Sequence, residues 1–378
     1  MRPLKIGIIL SYKKSEMKKD ELLPINSRKM KWLGLAKNPD YRNYVIKRDD
    51  KKWVPVDVAI NLYIEYNYPD VIVDYISPDE ISLSRLKKSD IVFLVSYDLL
   101  EAFHLTSKQK FRKFKHVLEN SDNVYPPYDY QKFINNKCTY YKYLKEYNIP
   151  VAPTFCIYDL QNFKKNPEQY IDNLLKSVPW DSFILKPVYG QESFGFAKFL
   201  DKNSNMTKRK LKNYFKKNGS KYKGLIVQKY INGFDKKNIE VRTYFINGVY
   251  LYSMVTSGLT HTYTMREGRS VQEGGKFKIL DKNWNYIMKL AQTVMDILPK
   301  FDLPPGMQNS IITRIDIGEG LENVPFNYFV NEVEFVPSFF IEKHREPVVQ
   351  NIGESLIKLA KVYQTYKLNG ELPIKTIF

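Results

Sequence analysis

The sequence predicts a mixed α/β protein, and three features of the chain support that class. Short β-branched runs at Lys5–Leu10, Val71–Tyr75 and Ile91–Ser96 alternate with helical stretches near the beginning. Further along, strands predominate, and Asn247-Gly248 marks a tight hairpin, because a type I′ turn needs positive φ at both central positions. A chain of 378 residues is also too long for one ordinary core and favours two or three packed subdomains.

The first part of the chain has the pattern of a layered α/β domain over residues 1–124. Strands that alternate with helices favour a parallel sheet there. The segment Lys13–Trp53 departs from this pattern because it is polar and rich in lysine, and we expect it to be an insertion or a mobile loop. Tyr125-Pro126-Pro127 then interrupts the chain, and a single helix is expected from about Tyr128 to Tyr147.

Strands account for most of the remaining chain. They are expected at Thr154–Ile157, Phe183–Pro187, Ala197–Leu200, Leu225–Tyr230, Val241–Ile246, Tyr250–Thr256, Ile311–Ile317 and Tyr328–Phe335. Two helices are expected, at about Trp284–Leu298 and Ile352–Tyr366.

Bulk properties narrow the classes of function. The formal net charge of +18 indicates a basic surface that would attract a nucleotide, a phosphorylated metabolite, an acidic peptide or a nucleic acid, although the lysine bias of an AT-rich genome would also produce it. The run Lys208–Lys217 is typical of a solvated helix face, and no nucleic-acid-binding module accompanies it. No apolar stretch approaches the roughly 20 residues of a membrane span. Two cysteines, Cys138 and Cys156, indicate a reducing compartment without a disulfide framework or a zinc site, so a cytoplasmic location is expected.

Three carboxylates near the end of the strand-rich part predict a metal site. Glu332 and Glu334 lie two residues apart on an expected strand, so their side chains share one face. If the strand that carries Asp316 is the antiparallel neighbour, the three acids gather, and such a cluster is costly unless hard cations neutralise it. Mg²⁺ bound by carboxylates and substrate phosphates fits this chemistry. The alternative is an exposed strand with scattered acids.

A lysine within an apolar strand predicts an anion site. Phe183–Pro187 is apolar apart from Lys186, and a buried strand tolerates an ammonium group only where it meets an anion. The following loop has Gly190 and Gly195 around small polar residues, which lets backbone amides approach phosphates closely. Lysine, strand and glycine-bearing loop in this order favour phosphate binding.

Two further segments offer ligand contacts. Ile226–Ile231 leads into a turn that ends at Asp235, where backbone groups can read an adenine and the carboxylate can accept ribose hydroxyls. A plain strand and turn is the alternative. The loop Thr264–Lys276 offers Arg266 and other basic residues, which would clamp a phosphate or a carboxylate or form an exposed hairpin tip.

These motifs follow one another in a recognisable order. The series runs from Asn136-Lys137 through FILKP, VQKYI, EVR and TRID to NEVEFVP. It resembles the ATP-grasp superfamily over roughly residues 125–345, and the preceding part resembles the usual N-terminal domain of that superfamily. The implied fold is an α/β (α+β) ATP-grasp fold with an N-terminal Rossmann-like, pre-ATP-grasp domain. Its domains would span residues 1–124, 125–225 and 226–378.

The resemblance implies a role for each matching residue. The α- and β-phosphates of ATP would be held by Lys137 and Lys186. The triphosphate would be covered by a loop containing Gly190, Glu192, Ser193 and Gly195. The adenine hinge would comprise Gln228, Lys229, Tyr230 and Ile231, and the ribose would meet Asp235. Two Mg²⁺ ions would be held by Asp316, Glu332 and Glu334, although the family usually has Asn at the last of these positions.

Most ATP-grasp enzymes are ligases, in which a substrate carboxylate attacks the γ-phosphate of ATP and an amine then displaces phosphate from the acyl-phosphate. The resemblance therefore implies an ATP- and Mg²⁺-dependent carboxylate–amine ligase that acts on a small-molecule or peptide acid. The transferring phosphate or the substrate acid would be held by Arg242, Arg266 and Arg314. The stretch REGRSVQEGGK is similar to the Arg…Gly-Gly segment of ligases that add amino acids to peptides or proteins, which favours this type of substrate.

A kinase of the same fold is the alternative enzyme. The segments IGIILSYKK, VQKYING and NEVEFVPSFF also resemble those of inositol-polyphosphate kinases. In that case Lys13 and Lys14 would grip the phosphates of the substrate. A nucleotide-binding protein without turnover is the remaining class.

Overall fold

The computed structural model describes residues 2–11, 22–25, 30–34, 39–48, 50–95, 107–190, 195–232, 238–257, 260–267, 270–271, 279–337, 345–371 and 374–378. Between residues 257 and 271 only the backbone is described. The expected mixed α/β class is confirmed: the described residues form one parallel sheet, two larger antiparallel sheets and two small antiparallel ones.

A parallel sheet forms the N-terminal layer, as expected. Its strands in spatial order are β5 (Val71–Ile76), β1 (Leu4–Ile9), β6 (Ile91–Leu94) and β7 (Val124–Tyr125). The helices of this part are α1 (Val56–Asn67), α2 (Leu83–Leu86) and α3 (Lys108–Glu119). The long helix α10 (Arg345–Asn369), near the end of the chain, packs on α1, β1 and β6. The central strands are accordingly apolar on both faces, as buried parallel strands are.

A small antiparallel sheet lies between β1 and α1. It comprises β2 (Leu22–Pro24), β4 (Lys51–Pro55) and β3 (Ile46–Arg48) in that order. Of the two expectations for Lys13–Trp53, an insertion or a mobile loop, the described part fits an insertion, and this insertion has a small sheet of its own. Leu22, Ile46 and Trp53 bury their side chains together, and so few apolar residues in a lysine-rich stretch gave too weak a signal.

The central part of the chain begins with two helices where one was expected. Helix α4 (Tyr128–Asn135) ends at Asn136, whose extended backbone (φ −91°, ψ 93°) starts α5 (Lys137–Glu146). The Asn136 side chain accepts hydrogen bonds from the backbone N–H groups of Cys138 and Thr139, at 3.1 and 3.2 Å. This N-cap replaces the missing helical partners of those amides, so the helix is interrupted directly before Lys137.

The central antiparallel sheet has its own core. Its strands in spatial order are β10 (Ala197–Phe199), β9 (Phe183–Pro187), β11 (Leu225–Lys229) and β8 (Thr154–Ile157). One face is covered by α6 (Asn162–Lys165), α7 (Pro167–Ser177) and α8 (Asn205–Asn218). The expected domain boundary at residue 226 falls within β11. The lysines of α8 are largely exposed, as predicted, and Lys208 and Lys212 pair with Asp172 and Glu168 of α7.

The C-terminal sheet carries the acidic motifs. Its strands in spatial order are β15 (Ser270–Val271), β14 (Thr260–Glu267), β13 (Val249–Ser257), β12 (Ile239–Ile246), β17 (Ile312–Glu319) and β18 (Tyr328–Glu334). Helix α9 (Asp281–Ile297) packs on it, and β16 (Lys300–Phe301) pairs with β19 (Thr376–Ile377). Asn247 and Gly248 have φ values of 52° and 77°, which confirms the predicted hairpin.

The two cysteines form a disulfide, so the expectation that they stay unpaired is wrong. Cys138 lies in the first turn of α5 and Cys156 on β8, with their Cα atoms 6.3 Å apart. They are 18 residues apart in sequence, and only the packing of α5 beside β8 brings them together. Among the described helices, none is long and apolar enough to cross a bilayer.

Candidate active site

Charged side chains from three neighbouring strands gather on one face of the C-terminal sheet. The register places Arg242 of β12 opposite Asp316 of β17, which lies opposite Glu332 of β18. Two residues further along the same pair of strands, Arg314 lies opposite Glu334. Because alternate residues of a strand share a face, these five side chains lie together. The predicted gathering of the three carboxylates on adjoining antiparallel strands is thus observed.

A β-bulge in β18 brings together Asn331 and Glu240, two residues to which the sequence analysis assigned no role. Asp316 pairs with Glu332, but the next residue, Ile317, pairs with Val330, so Asn331 is the extra residue of the bulge. Its side-chain amide donates to Oε1 of Glu240 at 2.8 Å. Glu240 had a signal, because it shares a strand face with Arg242 in the EVR motif. A bulge leaves no such signal in the sequence.

Arg314 holds two of the three carboxylates. Its Nε and Nη2 donate to the two oxygens of Asp316 at 2.7 and 2.8 Å, and Nη2 also donates to Oε1 of Glu334 at 2.8 Å. Arg242 pairs with Glu240 at 2.9 Å and lies 3.9 Å from Asp316. These bidentate and shared contacts give the buried acids the partners that buried charges require.

Lys137 and Lys186 face the third carboxylate, Glu332. Nζ of Lys137 lies 2.5 Å from its Oε1, and the Lys137 side chain is only 9% exposed. The backbone N–H of Lys137 donates to the carbonyl of Val188 at 3.2 Å, which ties the start of α5 to the end of β9, the strand of Lys186. Burial raises the pKa of Glu332, but the two lysine charges outweigh it and bring the value to about 2.

The pKa of Glu334 is shifted in the opposite direction, upwards. Burial raises its pKa to about 7 despite the attraction of Arg314, and the negative charges of Glu332 and Asp316 add to the rise. Burial and the charge of Asp316 likewise raise the pKa of Glu240. Four carboxylates thus face four cationic side chains, and burial is the main reason that Glu240 and Glu334 hold their protons more tightly than a free carboxyl group does.

The predicted hinge runs along the end of β11. Gln228 lies on the same face of the central sheet as Lys186 and donates from Nε2 to Oγ1 of Thr154 at 2.9 Å. Lys229 is partly exposed, and the ring of Tyr230 lies 5.0 Å below Nζ of Lys198. Ile231 is buried. Asp235 lies outside the described residues.

The predicted phosphate loop is described only at its two ends. Gly190 follows β9, and Gly195 has a φ of +70°, where a Cβ would also collide with Tyr222 and Pro187, so this position requires glycine. Glu192 and Ser193 lie outside the described residues, as do Lys13 and Lys14.

The backbone of Arg266 lies apart from the strands that carry the cluster. It lies on β14 opposite Ser253 of β13, two strands away from β12 and Arg242. Its side chain is not among those described. Arg242 and Arg314, by contrast, both contact Asp316.

The donor set fits Mg²⁺, although the side chains do not stand in a coordinating arrangement. Among the described residues, no group of three or more acidic, histidine or cysteine side chains is placed to hold a metal ion. The reason is visible in the contacts: Asp316 and Glu334 are turned to Arg314, and Glu332 is turned to Lys137. Carboxylate oxygens on one sheet face, beside lysines suited to phosphates, are the ligands that Mg²⁺ uses with a nucleotide.

Comparisons with known proteins agree on the fold. No protein-family model and no curated protein sequence matches the chain. Among solved structures, the chain is similar to D-alanyl-alanine synthetase A from Vibrio cholerae O1 biovar eltor, with a TM-score of 0.55, 14% identity and coverage of 95% of this chain and 100% of that one. It is also similar to the D-Ala:D-Ser ligase VanG from Enterococcus faecalis, with a TM-score of 0.54, 14% identity and coverage of 96% of this chain and 99% of that one. A third similar structure is the D-cycloserine synthetase DcsG, with a TM-score of 0.52, 17% identity and coverage of 79% of this chain and 97% of that one. At these identities the similarity shows the fold.

Proposed function

From the ATP-grasp fold of this chain, we propose that it is an ATP-dependent ligase that joins a carboxylate to an amine through an acyl-phosphate. The observation that carries the proposal is one arrangement at the junction of two sheets. Lys137 and Lys186 face a cluster of three carboxylates on the opposite side. Positive groups for a triphosphate and oxygen ligands for its metal ions are the minimum that phosphoryl transfer requires.

The charged residues divide into two groups by chemistry. Lys137 and Lys186 would hold the α- and β-phosphates, while Asp316, Glu332 and Glu334 would hold Mg²⁺. When bound, Mg²⁺ neutralises phosphate charge and polarises the bond to the transferring group. Arg242 and Arg314 already lie beside the carboxylates, where they would hold the transferring phosphate or the acid that attacks it. The hinge Gln228–Ile231 would carry the adenine.

The substrate class is proposed from the names of the similar structures. They are a D-alanyl-alanine synthetase, a D-Ala:D-Ser ligase and a D-cycloserine synthetase. An amino acid or a small amino-acid derivative is therefore the acid we propose for this chain, with an amine as the second substrate. A cytoplasmic location is proposed from the dependence on ATP alone, since the two cysteines are paired. Lys13 and Lys14, which would grip the substrate of the kinase alternative, lie outside the described residues.

A trapping experiment tests this proposal. The protein is incubated with MgATP, hydroxylamine and pools of amino acids, small carboxylic acids and peptides, and ADP, phosphate and hydroxamates are measured. A ligase releases ADP and phosphate together and yields a hydroxamate with one acid, because hydroxylamine intercepts the acyl-phosphate. A stable phosphorylated product without free phosphate, with inositol phosphates added as a further pool, would identify a kinase instead and contradict the proposal.

A further inference from the structure

Tyr141 occupies the junction between the lysines and the carboxylate strands. It lies on α5 four residues after Lys137, so both side chains project from the same face of the helix. The side chain is buried. Its hydroxyl accepts a hydrogen bond from Nζ of Lys186 at 3.0 Å and donates one to the backbone carbonyl of Asn331. The ring centroid also lies 5.2 Å from the same Nζ.

One consequence concerns the position of the Lys186 ammonium group. A lysine side chain has four rotatable carbon–carbon bonds and loses rotamer entropy whenever its end is fixed. Tyr141 restricts it through its hydroxyl, and the 5.2 Å from Nζ to the ring centroid belongs to the same contact. The ammonium group is thus held near Glu332 before any phosphate arrives.

The other consequence concerns the strand of Glu332. Asn331 is the extra residue of the bulge, so it is left out of the regular ladder of β18. Its carbonyl accepts a hydrogen bond from the Tyr141 hydroxyl, and its side-chain amide donates one to Glu240. The backbone directly before Glu332 is thereby fixed from two sides.

Taken together, these contacts define a role that the sequence motifs do not contain. We propose that Tyr141 is a positioning residue that sets the distance between the Lys186 ammonium group and the metal-binding face of β18. This inference rests on the proposed function, because it assumes that Lys186 binds a phosphate of ATP. Tyr141 itself does not need to touch the nucleotide.

The same helix provides a matched control. The Tyr143 hydroxyl also donates to a backbone carbonyl, that of Ile297, at 2.5 Å. Tyr143→Phe therefore removes the same atom and the same type of hydrogen bond from α5 without touching either lysine. Any effect shared by Tyr143→Phe and Tyr141→Phe belongs to the helix rather than to the site.

The test measures the dissociation constant of a non-hydrolysable ATP analogue with Mg²⁺ by calorimetry, together with melting temperatures. Tyr141→Phe should weaken binding about 10-fold, as loss of a hydrogen bond to a charged group does, and Tyr143→Phe should leave it within about twofold of wild type. In a Lys186→Met background, Tyr141→Phe should have little further effect, because the two residues act as one unit.

Three results would overturn the inference. The first is that Tyr141→Phe binds the analogue like wild type. The second is that its effect is equal with and without Lys186, and the third is that Tyr143→Phe weakens binding as much. If Lys186→Met weakens binding while Tyr141→Phe does not, only the role of Tyr141 fails. If Lys186→Met itself binds the analogue like wild type, the proposed phosphate site fails as well.

Discussion

Replacement of Glu334 by Gln should change how the stability of the metal-free protein depends on pH. The folded protein raises the pKa of this carboxyl from 4.5 to about 7. The folded state therefore binds the proton more tightly than the unfolded chain, and this contribution to stability is complete below about pH 4.5. It is lost as the pH rises through about 7, because the carboxyl must then ionise in a buried position, and beside Glu332 and Asp316.

The size of the effect follows from the pKa difference. A rise from 4.5 to about 7 corresponds to about 3 kcal/mol at about 1.4 kcal/mol per pH unit. Glutamine keeps an oxygen that can accept from Arg314 but does not titrate. The free energy of unfolding of Glu334→Gln minus that of wild type should therefore increase by up to about 3 kcal/mol between pH 4.5 and pH 8.

Urea unfolding followed by circular dichroism, with EDTA present, measures this difference at pH 4.5, 6, 7 and 8. Glu322→Gln serves as the control, because it is the same substitution at an exposed residue, on the turn between β17 and β18. A Glu334→Gln difference that varies with pH no more than that of the control would refute the reasoning about the charge of this cluster.

Two other substitutions test neighbouring parts of the site. Lys137→Met should lower the free energy of unfolding in urea by up to about 3 kcal/mol, because it leaves the largely buried Glu332 without its nearest cation. The loss should shrink in Lys137→Met/Glu332→Gln, and equal losses would contradict the pairing. Cys138→Ser should lower the free energy of unfolding by about 3 kcal/mol, because the loop closed by the disulfide with Cys156 is lost. Dithiothreitol should lower the melting temperature of wild type but not of this variant. A wild-type melting temperature that dithiothreitol does not change would contradict the disulfide.

The sequence pattern predicts a large part of the proposed metal-binding face and one of the two lysines proposed to bind phosphates. Glu332 and Glu334 are two residues apart on a strand, and alternation alone places them on one face. Lys186 is conspicuous as the charged residue of an apolar strand. The role of Lys137 came from the resemblance, although Asn136 is a residue type that favours helix N-caps and could have marked the break before it.

The remaining features depend on contacts that no local pattern encodes. The bulge at Asn331 exists because β17 and β18 pair out of step by one residue, and it alone brings Asn331 to Glu240. The disulfide depends on the packing of α5 beside β8, and Tyr141 reaches both Lys186 and Asn331 only when that helix lies between two sheets. Such long-range contacts follow from the assembled fold.

The central claim is that Glu332 belongs to a metal site that acts on bound ATP, and Glu332→Gln tests it most directly. The measurement is ADP release with MgATP and the acid identified by hydroxamate trapping, alongside calorimetric binding of the ATP analogue. Nucleotide should still bind to Glu332→Gln, because Lys137 and Lys186 remain. Turnover should fall at least about 100-fold, which corresponds to a loss of about 2.7 kcal/mol of transition-state stabilisation. Near-normal turnover by Glu332→Gln would contradict the central claim.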